Sequence, residues 1–169
     1  MIKGLMLDYI SLFKKLNDEE IKYIVVGGIA VNLHGIPRMT YDVDLLVDFE
    51  DSNLKKFLAL FKGWGFKPKV PVDIMDFTQK TKREEWIKQK NMKAFSLFNP
   101  AWAISEIDII IDAPVDYTNA EKHVNYINTG NVIIPTISVP DLIKMKQKAG
   151  RQQDKADIKY LKALKNEKK

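Results

Sequence analysis

Apolar residues at Leu5, Leu7, Ile10, Leu12, Phe13 and Leu16 recur at close to helical spacing and predict an amphipathic helix, with Asn17 and Asp18 marking its end. The period then changes. "KYIVVGG" is a short β-branched run stopped by glycine, which reads as a buried strand. "GIAVNLHG" places Ile29, Ala30 and Leu33 on one helical face and ends at Gly35. "YDVDLLVD" alternates and predicts a second strand, and Asp51 or Ser52 then caps a helix over "NLKKFLALFKGW". "FKPKVPVDIMDF", broken by Pro68 and Pro71, reads as strand or loop, and "TKREEWIKQKN" as a short polar helix. "MKAFSLFNP" and "ISEIDIIID" are two further strands. Residues 114–140 read as irregular, with short strands near "VNYIN" and "NVIIPTISV"; from Pro140 and Asp141 a helical stretch begins, divided at Gly150 and frayed in its tail "KNEKK". Strands and helices interleaved in this way predict an α+β domain spanning 1–169. Its small mixed sheet carries helices mainly on one face, and about 141–166 form a C-terminal helical part.

Composition narrows the class. At 169 residues with 46% hydrophobic content, the chain can bury a core and disorder is excluded as a general description. There is no cysteine, which removes disulfide scaffolds and cysteine metal sites and fits a cytoplasmic protein. The longest apolar runs, "YIVVGGIAV" and "IDIIID", are strand-sized and fall short of the ~20 residues a membrane span needs, so no membrane partner is expected. The net charge of +5 suits an anionic partner such as a nucleotide or nucleic acid, although basic soluble proteins are common.

The acids change the picture most. Side chains alternate faces along a strand. In "YDVDLLVD", Val43, Leu45 and Val47 share one face, and Asp42, Asp44 and Asp48 the other. In "ISEIDIIID", Ile107, Ile109 and Ile111 share one face, and Glu106, Asp108 and Asp112 the other. If the two strands are neighbours, ~4.8 Å apart, Asp108 lies beside Asp42 or Asp44. Carboxylates that close repel one another unless protonated or bridged by a cation, and a hard divalent ion with oxygen ligands resolves the conflict. Taken alone, a D-x-D on a strand is more often an ordinary solvated face.

Upstream context weighs against that bland reading. "VVGG" ends a strand and opens a helix, where glycine lets backbone approach a phosphate. The 13 residues from Gly28 to Asp42 leave room for a short helix and a turn, which would bring phosphate cradle and acid pair together at one edge of the sheet. Arg38 and Thr40 stand in that turn. Arg38 is one of three arginines in a lysine-rich chain and suits a phosphate, or pairs with a nearby acid such as Asp42.

"VVGGIAVNLHG" followed by "RMTYDVDLLVD", a third acid on a later strand, and "LIKMKQKAGRQQDKADIKYL" together resemble the polymerase-beta-type nucleotidyltransferase superfamily. Within it they are most similar to minimal nucleotidyltransferases related to abortive-infection toxins of type IV toxin–antitoxin systems. The resemblance spans roughly residues 20–162. It implies the nucleotidyltransferase fold and Mg²⁺-dependent transfer (Mn²⁺ substituting) of a nucleoside monophosphate from an NTP to an acceptor hydroxyl, releasing pyrophosphate. It implies Asp42, Asp44 and Asp108 as catalytic metal ligands. Gly27 and Gly28 hold the triphosphate, and Lys146 neutralises phosphate charge, with Arg38 and Thr40 beside them. Gly28 stands where many members have serine. The acceptor implied is RNA, protein or a small molecule, and an antitoxin-like protein is a further implied partner.

Other chemistries fare worse. His34 and His123 lack ligand spacing, and there is no G-x-S-x-G. Trp64, Trp86 and Trp102 could stack on a base but more usually pack in a core. The late lysines could bind RNA but more often form the wet face of a helix. Lys144 and Lys146 lie about 160° apart on a helix, so only one can face a cleft. The alternative reading is a non-catalytic nucleotide-binding or partner-binding protein on the same fold.

Overall fold

The computed structural model describes residues 8–102 and 105–167. The expected first helical turn at Leu5 and Leu7, the start of the "ISEIDIIID" strand at Ile104 and the last two lysines lie outside them. The chain runs α1 (Tyr9–Asp18), β1 (Tyr23–Val26), α2 (Gly27–Leu33), β2 (Val43–Val47), α3 (Asp51–Gly63), β3 (Lys67–Pro68), a 3-10 turn (Ile74–Thr78) and α4 (Lys80–Lys90). It continues through β4 (Ala94–Phe98), β5 (Ile107–Ile110), α5 (Tyr117–Glu121), β6 (Asn125–Asn128), β7 (Ile133–Thr136), α6 (Val139–Ala149) and α7 (Gln152–Glu167).

The strands form one seven-stranded mixed sheet in the order β3-β4-β5-β2-β1-β7-β6. β1 and β2 are antiparallel, whereas β2 runs parallel to β5 with Asp44 opposite Asp108. The acid-bearing strands are therefore interior strands, and the acids meet in the middle of the sheet, where the spacing had suggested an edge. Burial explains why. All four residues of β1 are buried, so protein covers both its faces. β4 and β5 alternate buried and half-buried residues, so one face packs on the core and the other is left open. Phe95 and Leu97 of β4 and Ile107 and Ile109 of β5 supply the packed face. Trp86 stacks on Phe95 with ring centroids 5.4 Å apart and planes 4° apart, which seats α4 beneath that face. Trp64 and Trp102 meet Phe61 and Phe66 edge-on, so all three tryptophans are packing residues.

Local signals explain most boundaries. The cap of α3 is Glu50, whose carboxylate accepts from the Ser52 and Asn53 amides, one residue ahead of the expected Asp51 or Ser52. Asp116 caps α5, a short helix inside the stretch that read as irregular; its carboxylate accepts from the Asn119 amide. Gly150 ends α6 with φ 65°, a left-handed conformation that suits glycine, and so divides α6 from α7.

Candidate active site

The site is built on β2 and β5. Both present their acids to a cleft of about 500 Å³ whose walls include Gly27, Asp42, Asp44, Asp108, Lys146 and Arg151. Asp44 and Asp108 are register partners on parallel strands, and their carboxyl groups hydrogen-bond each other. Burial, the Asp108 charge and Asp42 together push Asp44 up to about 7. Burial and Asp108 also raise Asp42, although less, because Asp42 is more exposed. Asp108 Oδ1 is buried and has no hydrogen-bond partner.

A fourth carboxylate joins them. One oxygen each from Asp42, Glu106 and Asp108 lies within 4.8 Å of the others, a grouping that could hold a cation. Glu106 shares the face of Asp108 two residues earlier on the chain, so strand parity already pointed to it. It is paired with Lys69, which reaches across from beyond β3.

Gly27 is shaped by this acid. Its φ is +67°, and a Cβ built on it would lie 2.0 Å from Asp44 Oδ2. Only a residue without a side chain lets the strand-to-helix turn pass the carboxylate. Gly28 is excluded from carrying a side chain by a different neighbour: a Cβ there would approach Thr40 Oγ1 to 2.6 Å and Arg38 Nη1 to 3.1 Å. Where a serine at 28 would offer its hydroxyl, the Thr40 hydroxyl stands instead.

The cations come from elsewhere. Lys146 on α6 is buried, while Lys144 points outward and lies 3.9 Å from Asp141. Lys146 Nζ lies 2.9 Å from Asp157 Oδ2 and 3.4 Å from Asp154 Oδ1. Arg38 Nη1 donates to Asp157 Oδ2 at 2.8 Å, so the acid that pairs with Arg38 is Asp157 and not Asp42. Arg151 Nε donates to Asp154 Oδ2 at 2.8 Å. Burial pushes the Asp154 carboxyl up, but its hydrogen bonds from Arg151 and the Lys146 charge outweigh that and hold it below its ordinary value. Asp154 raises Arg151 by hydrogen bond and charge, and Asp44 adds to the effect from across the cleft. The "RQQDKAD" run thus supplies two buried carboxylates that fix three cations, and its Arg151 lines the cleft.

The mixed sheet carries paired acids on adjacent strands, a glycine turn beside them and cations brought from the C-terminal segment, an arrangement on a nucleotidyltransferase fold. Residues 6–166 match the family described as a nucleotidyltransferase of unknown function (DUF6036), and the chain belongs to that family. No curated protein sequence matches it. In structure it is similar to the lincosamide antibiotic adenylyltransferase LnuA, solved with lincomycin bound. The TM-score is 0.63 and the identity 16%, over 95% of this chain and 99% of that one. It is also similar to TM1012 from Thermotoga maritima, assigned as a nucleotidyltransferase. There the TM-score is 0.56 and the identity 17%, over 94% and 93% of the two chains. At these identities the likeness concerns the fold. Among the described residues no helix is long and apolar enough to cross a membrane.

Proposed function

We propose that this protein transfers a nucleoside monophosphate from an NTP to an acceptor hydroxyl, with a divalent cation, Mg²⁺ or Mn²⁺, held by Asp42, Asp108 and Glu106, and by Asp44 once it has lost its proton. The carrying observation is the Asp44–Asp108 pair. Two carboxyl groups face each other across adjacent parallel strands beside a third and fourth acid, and Asp108 Oδ1 has no partner. That donor set, all oxygen and rich in negative charge, fits a hard cation. When bound, the ion would neutralise and orient the triphosphate.

The chain's own groups do the rest. The Gly27–Gly28 turn lets phosphate approach the backbone. Lys146 and Arg151, held by Asp154 and Asp157, meet the charge that grows on the departing pyrophosphate. The acceptor oxygen attacks the α-phosphorus, the bond to the β-phosphate oxygen breaks, and the hydroxyl proton passes to the Asp108 carboxylate. Asp42 and Asp44 stay ionised through the step. Thr40 Oγ1 stands beside Gly28 and donates to a phosphate oxygen.

The acceptor is RNA, protein or a small molecule; the lincosamide adenylyltransferase LnuA, similar in fold and solved with lincomycin bound, supports including small molecules. The "RQQDKAD" run supports the kinship with abortive-infection toxins and, with it, an antitoxin-like partner. The test is incubation with each α-labelled NTP, Mg²⁺, and separate RNA, protein and small-molecule fractions, with pyrophosphate release followed in parallel. Label transfer that disappears in Asp108→Asn supports the reading. NTP binding with no pyrophosphate release from any fraction replaces it with a nucleotide-binding protein on the same fold.

A further inference from the structure

The charge of this chain is unevenly placed. Residues 139–169 hold ten Lys and Arg against four Asp and Glu, whereas the remainder holds 17 against 18, so the whole positive excess belongs to the C-terminal segment of the sequence. Burial sharpens the asymmetry. Asp141, Asp154 and Asp157 are buried, leaving Glu167 as the exposed acid of α6 and α7 among the described residues, while Lys144, Lys148, Arg151, Lys155, Lys159, Lys162 and Lys165 are all exposed.

Four of these cations form a row. Arg151, Lys155, Lys159 and Lys162 follow at steps of four, four and three residues, and at 3.6 residues per turn they fall within about 80° of one another around the helix axis. At 1.5 Å per residue the row is about 16 Å long, one charge per turn. Its first member lines the cleft, so the row begins in the candidate active site and leads away from it. Lys155, Lys159 and Lys162 form no ion pair among the described residues, unlike Arg38, Lys146 and Arg151, which are fixed by Asp154 and Asp157.

We infer that this row is a docking track for the single-stranded end of an RNA, and that the track feeds the RNA's terminal hydroxyl to the cleft. A row one charge wide, one per helical turn, suits a single backbone. Single strands are also where proteins chiefly engage RNA. An acidic protein would match the charge, but a nucleic-acid strand offers both a regular string of anions and a terminal hydroxyl. The role of acceptor rests on the proposed nucleotidyl transfer; the docking does not.

The experiment uses the full chain and a 5′-labelled single-stranded RNA of about 12 nucleotides, followed by fluorescence polarisation in EDTA without NTP. Binding is expected to weaken with salt at a log–log slope of about −2 to −3, from three or four phosphates at about −0.7 each. The Lys155→Glu, Lys159→Glu, Lys162→Glu triple variant is expected to lose at least about tenfold, and the corresponding triple Gln variant a smaller part, with melting temperature and NTP affinity unchanged. No binding by wild type, or equal binding by the Glu variant, overturns the track. Equal affinity for a poly-glutamate peptide of the same charge assigns the row to an acidic protein, and equal affinity for single-stranded DNA removes RNA as its ligand; either result overturns the inference. Adding α-labelled NTP and Mg²⁺ separates the two readings. An RNA that docks and is never labelled fails the transfer reaction while the track stands; a labelled small molecule with no RNA docking does the reverse.

Discussion

Arg38 and Asp157 stand 119 residues apart in the chain and 2.8 Å apart in space. Lys146 approaches the same Asp157 oxygen at 2.9 Å, so one carboxylate ties the turn before β2 to both C-terminal helices. Asp157→Asn keeps the shape and removes the charge, leaving Lys146 buried with Asp154 as its remaining acid. The expected cost is about 3 kcal/mol, the usual penalty for breaking a buried ion pair on one side. Chemical denaturation measures it; a loss under about 0.5 kcal/mol would show that the network contributes nothing to the fold.

Asp44 gives the metal-free protein an unusual pH dependence. Its carboxyl titrates at about 7 in the folded chain against 3.8 ordinarily, so between these values the folded state holds a proton that the unfolded state has released. Stability contributed by this group therefore falls as pH rises from about 4 to about 7 and is flat beyond. Asp44→Asn removes that slope and is expected to melt higher than wild type at pH 8 in EDTA. The comparison is made between wild type and variant across pH, because Asp8, Glu19, Asp112 and Asp154 are shifted down and pull the other way in both proteins.

Mg²⁺ or Mn²⁺ should reverse that trend. A cation competes with the proton on Asp44, so thermal stabilisation by about 5 mM Mg²⁺ is expected to be larger at pH 8 than at pH 5.5. Asp108→Ala should abolish it at both. Equal stabilisation of wild type and Asp108→Ala would place the ion elsewhere.

Gly27→Ala tests the close approach directly. The added methyl meets the Asp44 carboxylate and forces a non-glycine residue to positive φ, at an expected cost of about 1–3 kcal/mol. Cation stabilisation should fall with it, because the carboxylate must move. Gly35→Ala is the control for backbone alone: φ is +97° there and a Cβ would meet nothing within 4 Å.

Lys146→Ala and Lys144→Ala separate the two faces of α6. The first is expected to weaken NTP affinity at least about tenfold, the loss of one charge-assisted contact, and to destabilise the chain. The second should leave both within error, since an exposed pair at 3.9 Å contributes little. Titration calorimetry on the two variants at fixed Mg²⁺ reads the difference.

Much of this site follows from local pattern. Alternation in "YDVDLLVD" and "EIDIIID" fixed which side chains share a face; helical spacing separated Lys144 from Lys146, and the family resemblance chose Lys146. Gly150 was visible as a break because no other residue takes φ 65° so readily. Pattern could not give neighbours. Nothing in the spacing says that β5 inserts beside β2, which moves the acids from an edge to the centre of the sheet. Nor does it say that Arg38 finds Asp157 and not the nearer Asp42, since that choice depends on where α7 docks. The cap at Glu50 and the helix α5 were missed for another reason: Asp, Glu, Ser and Asn compete at such positions, and the winner depends on the direction from which the chain arrives.

The left-handed residue at Gly150 has a consequence for regulation. It separates a sheet that owns every carboxylate of the proposed cation site from a final helix that owns Asp154 and Asp157, the acids fixing Lys146. The buried residues of α7 are Leu161, Asp154 and Asp157, with Ile158 and Leu164 partly buried against the core. An element held so largely by ionic contacts is a natural unit of local opening. Its release would leave the acids assembled and Lys146 without its counter-ions, with the sheet still folded. The protein would then pass between a competent and an incompetent form without unfolding, and hydrogen exchange in α7 would run faster than in β1, β2 and β5.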